Sequence, residues 1–243
     1  MMAPTFSSVL LILPLLLGLV RQTRAQGPPD SVVYHVDPGS RLVVKTGKAG
    51  FFAFVGHNHV IRARAVFGEL VYRPGSASSS LRLKVPTDSL EVLTPPDTAE
   101  IRQVTAAMRT EVLHPDKYPE MTFAADSLDA RSGKMELQLA ITMEGTTRKV
   151  PVQADVTIAP DTIKAAGTFT AKQTDFGIKP YSGGPAGTIK VADRVTFCFD
   201  LIAVRDLPRG PGGRRPVPAH EAITVPGCVD KARARGDTAR RPM

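Results

Sequence analysis

The chain has 243 residues, of which 42% are hydrophobic and 22% are charged, and its formal net charge is +8. Such a charge suggests a partner among the nucleic acids, but its distribution argues against one. Residues 207–243 carry eight basic and three acidic side chains, and two more arginines lie in the first 25 residues. Residues 26–206 hold 21 basic and 20 acidic side chains and are nearly neutral. This part, at about 180 residues, is long enough for one domain with a buried core, and we expect no nucleic-acid partner for it.

The first 25 residues have the pattern of a secretory signal peptide. The segment from Val9 to Val20, VLLILPLLLGLV, is apolar and uncharged. It is shorter than the roughly 20 residues of a membrane-spanning helix but matches the apolar stretch of about 7–15 residues in a signal peptide. The small residue Ala25 predicts cleavage after it and a periplasmic or secreted protein. No basic residue precedes the apolar stretch, which leaves an uncleaved anchor as the alternative.

Residues 207–243 are rich in Pro, Gly and Arg and are predicted to form a disordered basic tail. This tail is either a solvated extension or a contact for an anionic surface. The chain has two cysteines, Cys198 and Cys228. In an exported protein they could form a disulfide that holds the tail to the body. The alternative is a buried Cys198 and a separate Cys228 in the tail.

Apolar and polar residues alternate through most of the middle of the chain, as in Leu81–Val85 and Met135–Ile141. This period of two is typical of strands with one buried and one solvated face. We predict about eight to ten strands from this pattern and from the turn residues between them. They are placed at residues 32–36, 41–46, 51–61, 64–73, 79–86, 120–127, 134–143, 148–158, 162–173 and 193–204.

One segment has helical spacing instead. Residues 97–112 place Ile101, Val104, Met108 and Val112 on one helix face. A single helix among so many strands favours an all-β fold: an extended antiparallel barrel of the eight-stranded type, with the helix as a lid or plug. Such a barrel is either filled by its own side chains or holds one slender ligand.

Six segments resemble the YceI-like family in sequence and in order. They read YHVD, VFGEL, VPTDSL, LHPDKYPEMTF, LAITMEGTTRKV and DFGI, and lie at residues 34–37, 66–70, 85–90, 113–123, 139–150 and 175–178. The resemblance extends from about Val33 to Val204. It implies a lipocalin-like barrel with one helix and an apolar tunnel for a long isoprenoid chain. Residues 54–60 and the tail differ from the family pattern.

Inward-facing apolar residues are the candidates for the tunnel wall. The ligand would be an isoprenoid-like lipid such as a quinone or a polyprenyl chain, and no other cofactor is expected. The oligomeric state is open, with a dimer among the options. The predicted lining residues are Phe54, Phe67, Leu83, Leu137, Leu139, Val152, Phe169, Phe197 and Phe199.

The segment His57-Asn58-His59 places two imidazoles on the same side of a strand, about 6–7 Å apart. They could contact a ligand headgroup, bind a metal or haem with His35 or His114 as a further ligand, or bond to nearby backbone.

The sequence contains no Gly-x-Ser-x-Gly, phosphate-binding Gly loop, His-Glu-x-x-His or Cys-x-x-Cys motif. We therefore expect a binding protein and not an enzyme. The alternatives are a His-dependent metal- or haem-linked redox or stress protein of the periplasm, and a structural surface protein that acts through its tail.

Overall fold

Antiparallel strands make up most of the structure, a computed structural model that describes residues 31–49, 58–93, 98–184 and 187–205. Within these ranges, twelve strands form one sheet. Their bounds are β1 Val32–Val36, β2 Arg41–Ala49, β3 Val60–Ala63, β4 Phe67–Tyr72, β5 Ser79–Pro86, β6 Leu90–Val92, β7 Glu120–Leu128, β8 Gly133–Met143, β9 Thr146–Ile158, β10 Thr162–Lys172, β11 Ser182–Gly183 and β12 Ile189–Arg205.

Eight of these strands close into a barrel in the order β1-β4-β5-β7-β8-β9-β10-β12, because β12 also pairs with β1. The long strand β12 has two partners on the same edge. Its last residues, 203–205, pair with β1, and residues 190–200 pair with β2. Strands β3 and β6 continue the sheet beyond β2. The predicted all-β barrel with one helix is therefore confirmed.

The helix α1 spans Thr98–Ala107 and continues as a wider π-helical turn over Met108–Leu113. It ends at His114, whose left-handed backbone (φ 41°) turns the chain toward β7. The His114 imidazole Nδ1 lies 2.7 Å from a carboxylate oxygen of Glu144 in the β8–β9 turn. This contact joins the end of the helical segment to the barrel wall.

The alternation in sequence becomes the two faces of the barrel wall. On β9, Val152, Ala154 and Val156 are buried inside, whereas Gln153 and Asp155 are exposed outside. Most of the predicted strands agree with the structure to within a few residues. Strands β6 and β11 were not predicted, since segments of two or three residues are too short to show a period.

Several predictions concern residues outside the described ranges. These are the signal peptide (residues 1–25), most of the strand predicted at residues 51–61, the tail (207–243), Phe54, His57 and Cys228, and all of them stay predictions. No helix among the described residues is long and apolar enough to cross a membrane.

A candidate ligand-binding cavity

A cavity of about 620 Å³ lies between the helical segment, the barrel strands and the extension of the sheet formed by β2, β3 and β6. The inner faces of these strands and of β5, β7, β8 and β12 form its wall. The barrel side chains that line it are mainly apolar: Leu42, Val44, Ile61, Ala63, Val85, Leu90, Met121, Phe123, Met143, Ile178, Val195 and Phe197.

Aromatic rings close the inner end of the cavity. Phe123 and Phe197 line it and meet edge to face, with ring centroids 6.4 Å apart. Behind them, Phe169 stacks on Phe197 with centroids 4.7 Å apart, and Phe199 lies 6.3 Å from Phe169. These rings are part of the packed core of the barrel, so the cavity has an aromatic floor.

The helical segment covers the cavity from the side. Val104, Met108 and Val112 recur at spacings of four, which places them on one face of the segment, and all three line the cavity. The π-helical turn keeps Leu113 on the same side, although it is the residue after Val112. π-helical turns are rare and are frequently found at functional sites.

Polar side chains gather at the outer end of the cavity. Lys48 ends the inner face of β2, and Lys190 lies beside it at the start of β12, where Val191 is opposite Lys48. His59, Glu100 and Tyr181 also line this end. An apolar chamber with a polar opening suits a ligand that has a long apolar chain and a polar head.

A 3₁₀ turn over Gln173–Phe176 supports the wall next to this opening, and its position is fixed by Asp193 on β12. The backbone N–H and the hydroxyl of Thr174 donate to the two carboxylate oxygens of Asp193, at 2.9 and 2.8 Å. The Thr174 backbone hydrogen bond is the main cause that lowers the pKa of Asp193. Phe176 in the turn is buried at 1% exposure.

The structure brings one of the predicted lining residues, Phe197, to the cavity surface. Leu83, Leu139, Val152, Phe169 and Phe199 are buried in the packed part of the barrel, and Leu137 packs against them. The prediction was wrong for Phe67, which is 58% exposed. The period of two places Phe67 on the outer face with Glu69, because Leu70 and Tyr72 face inward from β4.

Among the described histidines, His59 lines the cavity. Its backbone is held by Thr46, which donates its N–H to the His59 carbonyl at 2.9 Å. Asn58 is exposed. His35 lies exposed on β1, and His114 pairs with Glu144, so neither of them joins His59 at the cavity. In the described ranges, no group of three His, Cys, Asp or Glu side chains is placed to hold a metal ion.

Most of the cavity wall was not predicted. The strands that contain Leu42, Val44 and Ile61 were predicted. The inward orientation of these three side chains could therefore have been predicted from the period of two alone. We predicted from the sequence that Val104, Met108 and Val112 share one helix face. We did not predict the cavity beneath that face.

Proteins of known structure share this fold. BcnA of Burkholderia cenocepacia is similar with a TM-score of 0.53 and 18% identity, over 70% of this chain and 99% of BcnA. A polyisoprenoid-binding domain of Saccharophagus degradans, implicated in plant cell wall breakdown, is similar with a TM-score of 0.50 and 13% identity. That match covers 72% of this chain and 99% of the domain. No curated protein sequence matches the chain significantly.

The sequence itself matches a family model over most of the barrel, from Tyr34 in β1 to Ala203 in β12, which confirms the resemblance carried by the six segments. Because residues 34–203 match the YceI-like domain, the chain belongs to the YceI-like family.

Proposed function

We propose that this chain is an exported lipid-binding protein that holds the apolar chain of an isoprenoid-like lipid, such as a quinone or a polyprenyl, without catalysing a reaction. The observation that carries the proposal is the 620 Å³ cavity, with its apolar wall, aromatic floor and helical cover. Its volume lies within the roughly 300–1,000 Å³ of small-molecule sites.

The physical basis for binding is the removal of the lipid chain from water. Each buried CH₂ group contributes about 0.8 kcal/mol, so an isoprenoid chain of several units offers more than binding requires. The loss of translational and conformational freedom opposes much of this gain. The shape of the cavity therefore decides which chain binds, and a slender chain fits it better than a bulky ring system.

The polar opening supports a defined orientation of the lipid. Lys48, His59 and Lys190 line the outer end, whereas Phe123 and Phe197 line the inner end. We propose that the headgroup lies at the outer end and the chain points toward the aromatic floor. The similarity to a polyisoprenoid-binding domain supports the isoprenoid class of ligand, and the signal-like N-terminus supports export with cleavage near Ala25.

The test uses two neighbouring alanines of α1. Ala107 lines the cavity, whereas Ala106 is exposed and does not. Ala107→Trp places an indole in the cavity, and Ala106→Trp adds the same ring outside it. Each full-length protein is expressed in a host that exports it and purified from the exported fraction, and its bound lipid is quantified by denaturing mass spectrometry.

We expect a stoichiometric isoprenoid lipid in the wild-type protein and in Ala106→Trp, and a severalfold loss in Ala107→Trp with the far-ultraviolet spectrum unchanged. Equal lipid content in the two variants would show that the lipid binds elsewhere. Lipid-free wild-type protein would contradict the proposed function itself.

A further inference from the structure

The outer face of β12 is buried where the outer wall of a barrel is normally solvated. Cys198, Ile202 and Val204 point outward from β12 and are only 4%, 3% and 7% exposed. Asp200, between them on the same face, is also buried and is paired with Arg41 at 3.0 Å. Val43 lies opposite Cys198 on β2 at 6%, and Ala166 follows on β10 at 1%. None of the five apolar residues belongs to the core cluster inside the barrel. We call Val43, Ala166, Cys198, Ile202 and Val204 the outer patch.

The outer patch differs from the equivalent face of the neighbouring strands. On β8 and β9 the outward positions carry exposed polar residues such as Glu136, Gln153 and Asp155. The main contacts of β12 with described elements are to its partner strands and to the 3₁₀ turn beside Asp193. An apolar face on a solvated wall requires a cover, and among the described elements none is packed across this one.

The segment after β12 begins next to the outer patch and is long enough to cover it. The chain leaves β12 at Arg205, next to Val204 at one end of the patch. Cys198 lies six residues back along the strand, about 20 Å away. Residues 206–221 could reach roughly 50 Å if extended, so the next residues of the segment can return to Cys198 without strain.

The composition of this segment also supports it as the cover of the outer patch. Residues 222–229 read AITVPGCV, an apolar stretch within a region otherwise rich in Pro, Gly and Arg. It contains Cys228, the other of the two cysteines in the chain. No free cysteine is found among the described residues, which include Cys198.

We propose that residues 222–229 pack across the outer patch as a strap and that Cys228 forms a disulfide with Cys198. The two thiols lose two protons and two electrons. A disulfide-bearing oxidant accepts them by way of a mixed disulfide and is itself reduced to two thiols. The strap covers the apolar side chains of β2, β10 and β12 and holds the basic end of the chain, from Lys231 onward, against the barrel. It depends on the proposed export, because disulfides persist in oxidising compartments, and not on the bound lipid.

The first measurement is peptide mapping of the exported, unreduced full-length protein by mass spectrometry. We expect a cross-linked peptide pair that contains Cys198 and Cys228, and no labelling of either thiol by maleimide in denaturant. Two free thiols would overturn the proposal. A covalent dimer joined through either cysteine would assign the outer patch to a second copy of the chain, and would overturn it as well.

The second measurement separates packing from the covalent bond. Carbene footprinting of the full-length protein compares Cys228→Ser alone, Cys228→Ser with Ile223→Asp, and Cys228→Ser with Val217→Asp as the matched control outside the strap. We expect labelling of Ile202 and Val204 to rise severalfold with Ile223→Asp and to stay unchanged with Val217→Asp. Equal labelling in all three would overturn the packed strap. Lipid content plays no part in either readout, so failure here leaves the proposed function untouched.

Discussion

The rings of Phe169 and Phe197 stack face to face inside the barrel, with centroids 4.7 Å apart and planes inclined by 5°. The two residues are direct neighbours on β10 and β12. Phe197 lines the cavity, whereas Phe169 lies behind it in the packed core. This stack therefore fixes the depth of the cavity, because Phe197 can move away from the ligand only if Phe169 gives way.

Phe169→Leu is expected to deepen the cavity at some cost in stability. The loss in the free energy of unfolding should be smaller than the ~3–5 kcal/mol typical of Phe→Ala in a core. The bound lipids should shift toward longer chains, as measured by mass spectrometry of the purified protein. Phe67→Leu is the matched control, because Phe67 is 58% exposed and should change neither quantity. An unchanged chain length in a destabilised Phe169→Leu protein would mean that Phe197 falls into the vacated space.

Gly167 is expected to tolerate no side chain, because a ring of the floor lies directly over it. A Cβ atom at Gly167 would clash with the Gln153 carbonyl oxygen and would lie 2.7 Å from Cζ of Phe199. Gly167→Ala should lower the free energy of unfolding by about 1–3 kcal/mol, the usual cost of overpacking. At Gly47 the nearest atom to a new Cβ is Ala192 Cβ at 3.5 Å, so Gly47→Ala should stay within about 0.5 kcal/mol of wild type. Denaturant titration compares the two, and equal stabilities would contradict the close packing of Phe199 on Gly167.

The barrel could be predicted from the sequence because its wall repeats one local rule. On β10, and on β9 from Val150 onward, each inward residue is apolar or small and most outward residues are polar, so strand position and face follow from the period of two. Helical spacing in the same way predicts that Val104, Met108 and Val112 share one face. The period of two also predicts the strand at residues 193–204, but it does not predict that Cys198, Ile202 and Val204 are buried on the outer side of β12.

The position of the cavity could not be predicted, because it depends on side chains that meet across the barrel. Phe169, Phe197 and Phe199 come from neighbouring strands and fill one half, while smaller residues such as Val44 and Ala63 leave the other half hollow. The period of two predicts that all five side chains face inward. It does not predict at which height in the barrel each side chain lies or which side chain lies opposite it. Predicted lining residues such as Leu83 and Val152 are therefore inside the barrel but in its packed part.

Asp193 is expected to make the stability of the cavity wall sensitive to acid. Its pKa is lowered, chiefly by the hydrogen bond from the Thr174 backbone N–H. A carboxyl group with a lowered folded-state pKa stabilises the fold above its unfolded pKa, and this stabilisation is lost as the pH falls through the folded pKa. The affected window therefore lies below about pH 4. Asp193→Asn should remove this part of the acid dependence of the melting temperature.

Thr174→Val provides the comparison for Asp193→Asn. It removes the hydroxyl donor but keeps the backbone N–H, which is the larger cause of the lowered pKa. We expect its melting temperature to keep most of the wild-type dependence on pH below about pH 4. If Thr174→Val flattened the profile as much as Asp193→Asn, the hydroxyl would be the main contact and the assignment to the backbone N–H would be wrong.

His59 is expected to contact the lipid headgroup, because it lines the polar end of the cavity and Thr46 holds its backbone in place. His59→Phe keeps a planar ring there but removes both ring nitrogens. A lost hydrogen bond of about 0.5–1.5 kcal/mol should weaken binding of a quinone-headed isoprenoid by roughly 2- to 10-fold. Binding of an isoprenoid hydrocarbon without a headgroup should not change, since its contacts are with the apolar wall. His35→Phe, on the exposed side of β1, is the matched control for both ligands.

The pair of ligands also separates a headgroup contact from a metal site at His59. Equal losses for the quinone and the hydrocarbon in His59→Phe would indicate a change in cavity shape and would contradict a headgroup contact. A metal ion that co-purifies with the wild-type protein and is absent from His59→Phe, measured by elemental analysis, would assign the imidazole to that ion. His35 and His114 both lie away from the cavity, so neither would be a further ligand of such an ion. A quinone-specific loss in metal-free protein is the result that the described geometry favours, because it requires only the one imidazole that the structure brings to the opening.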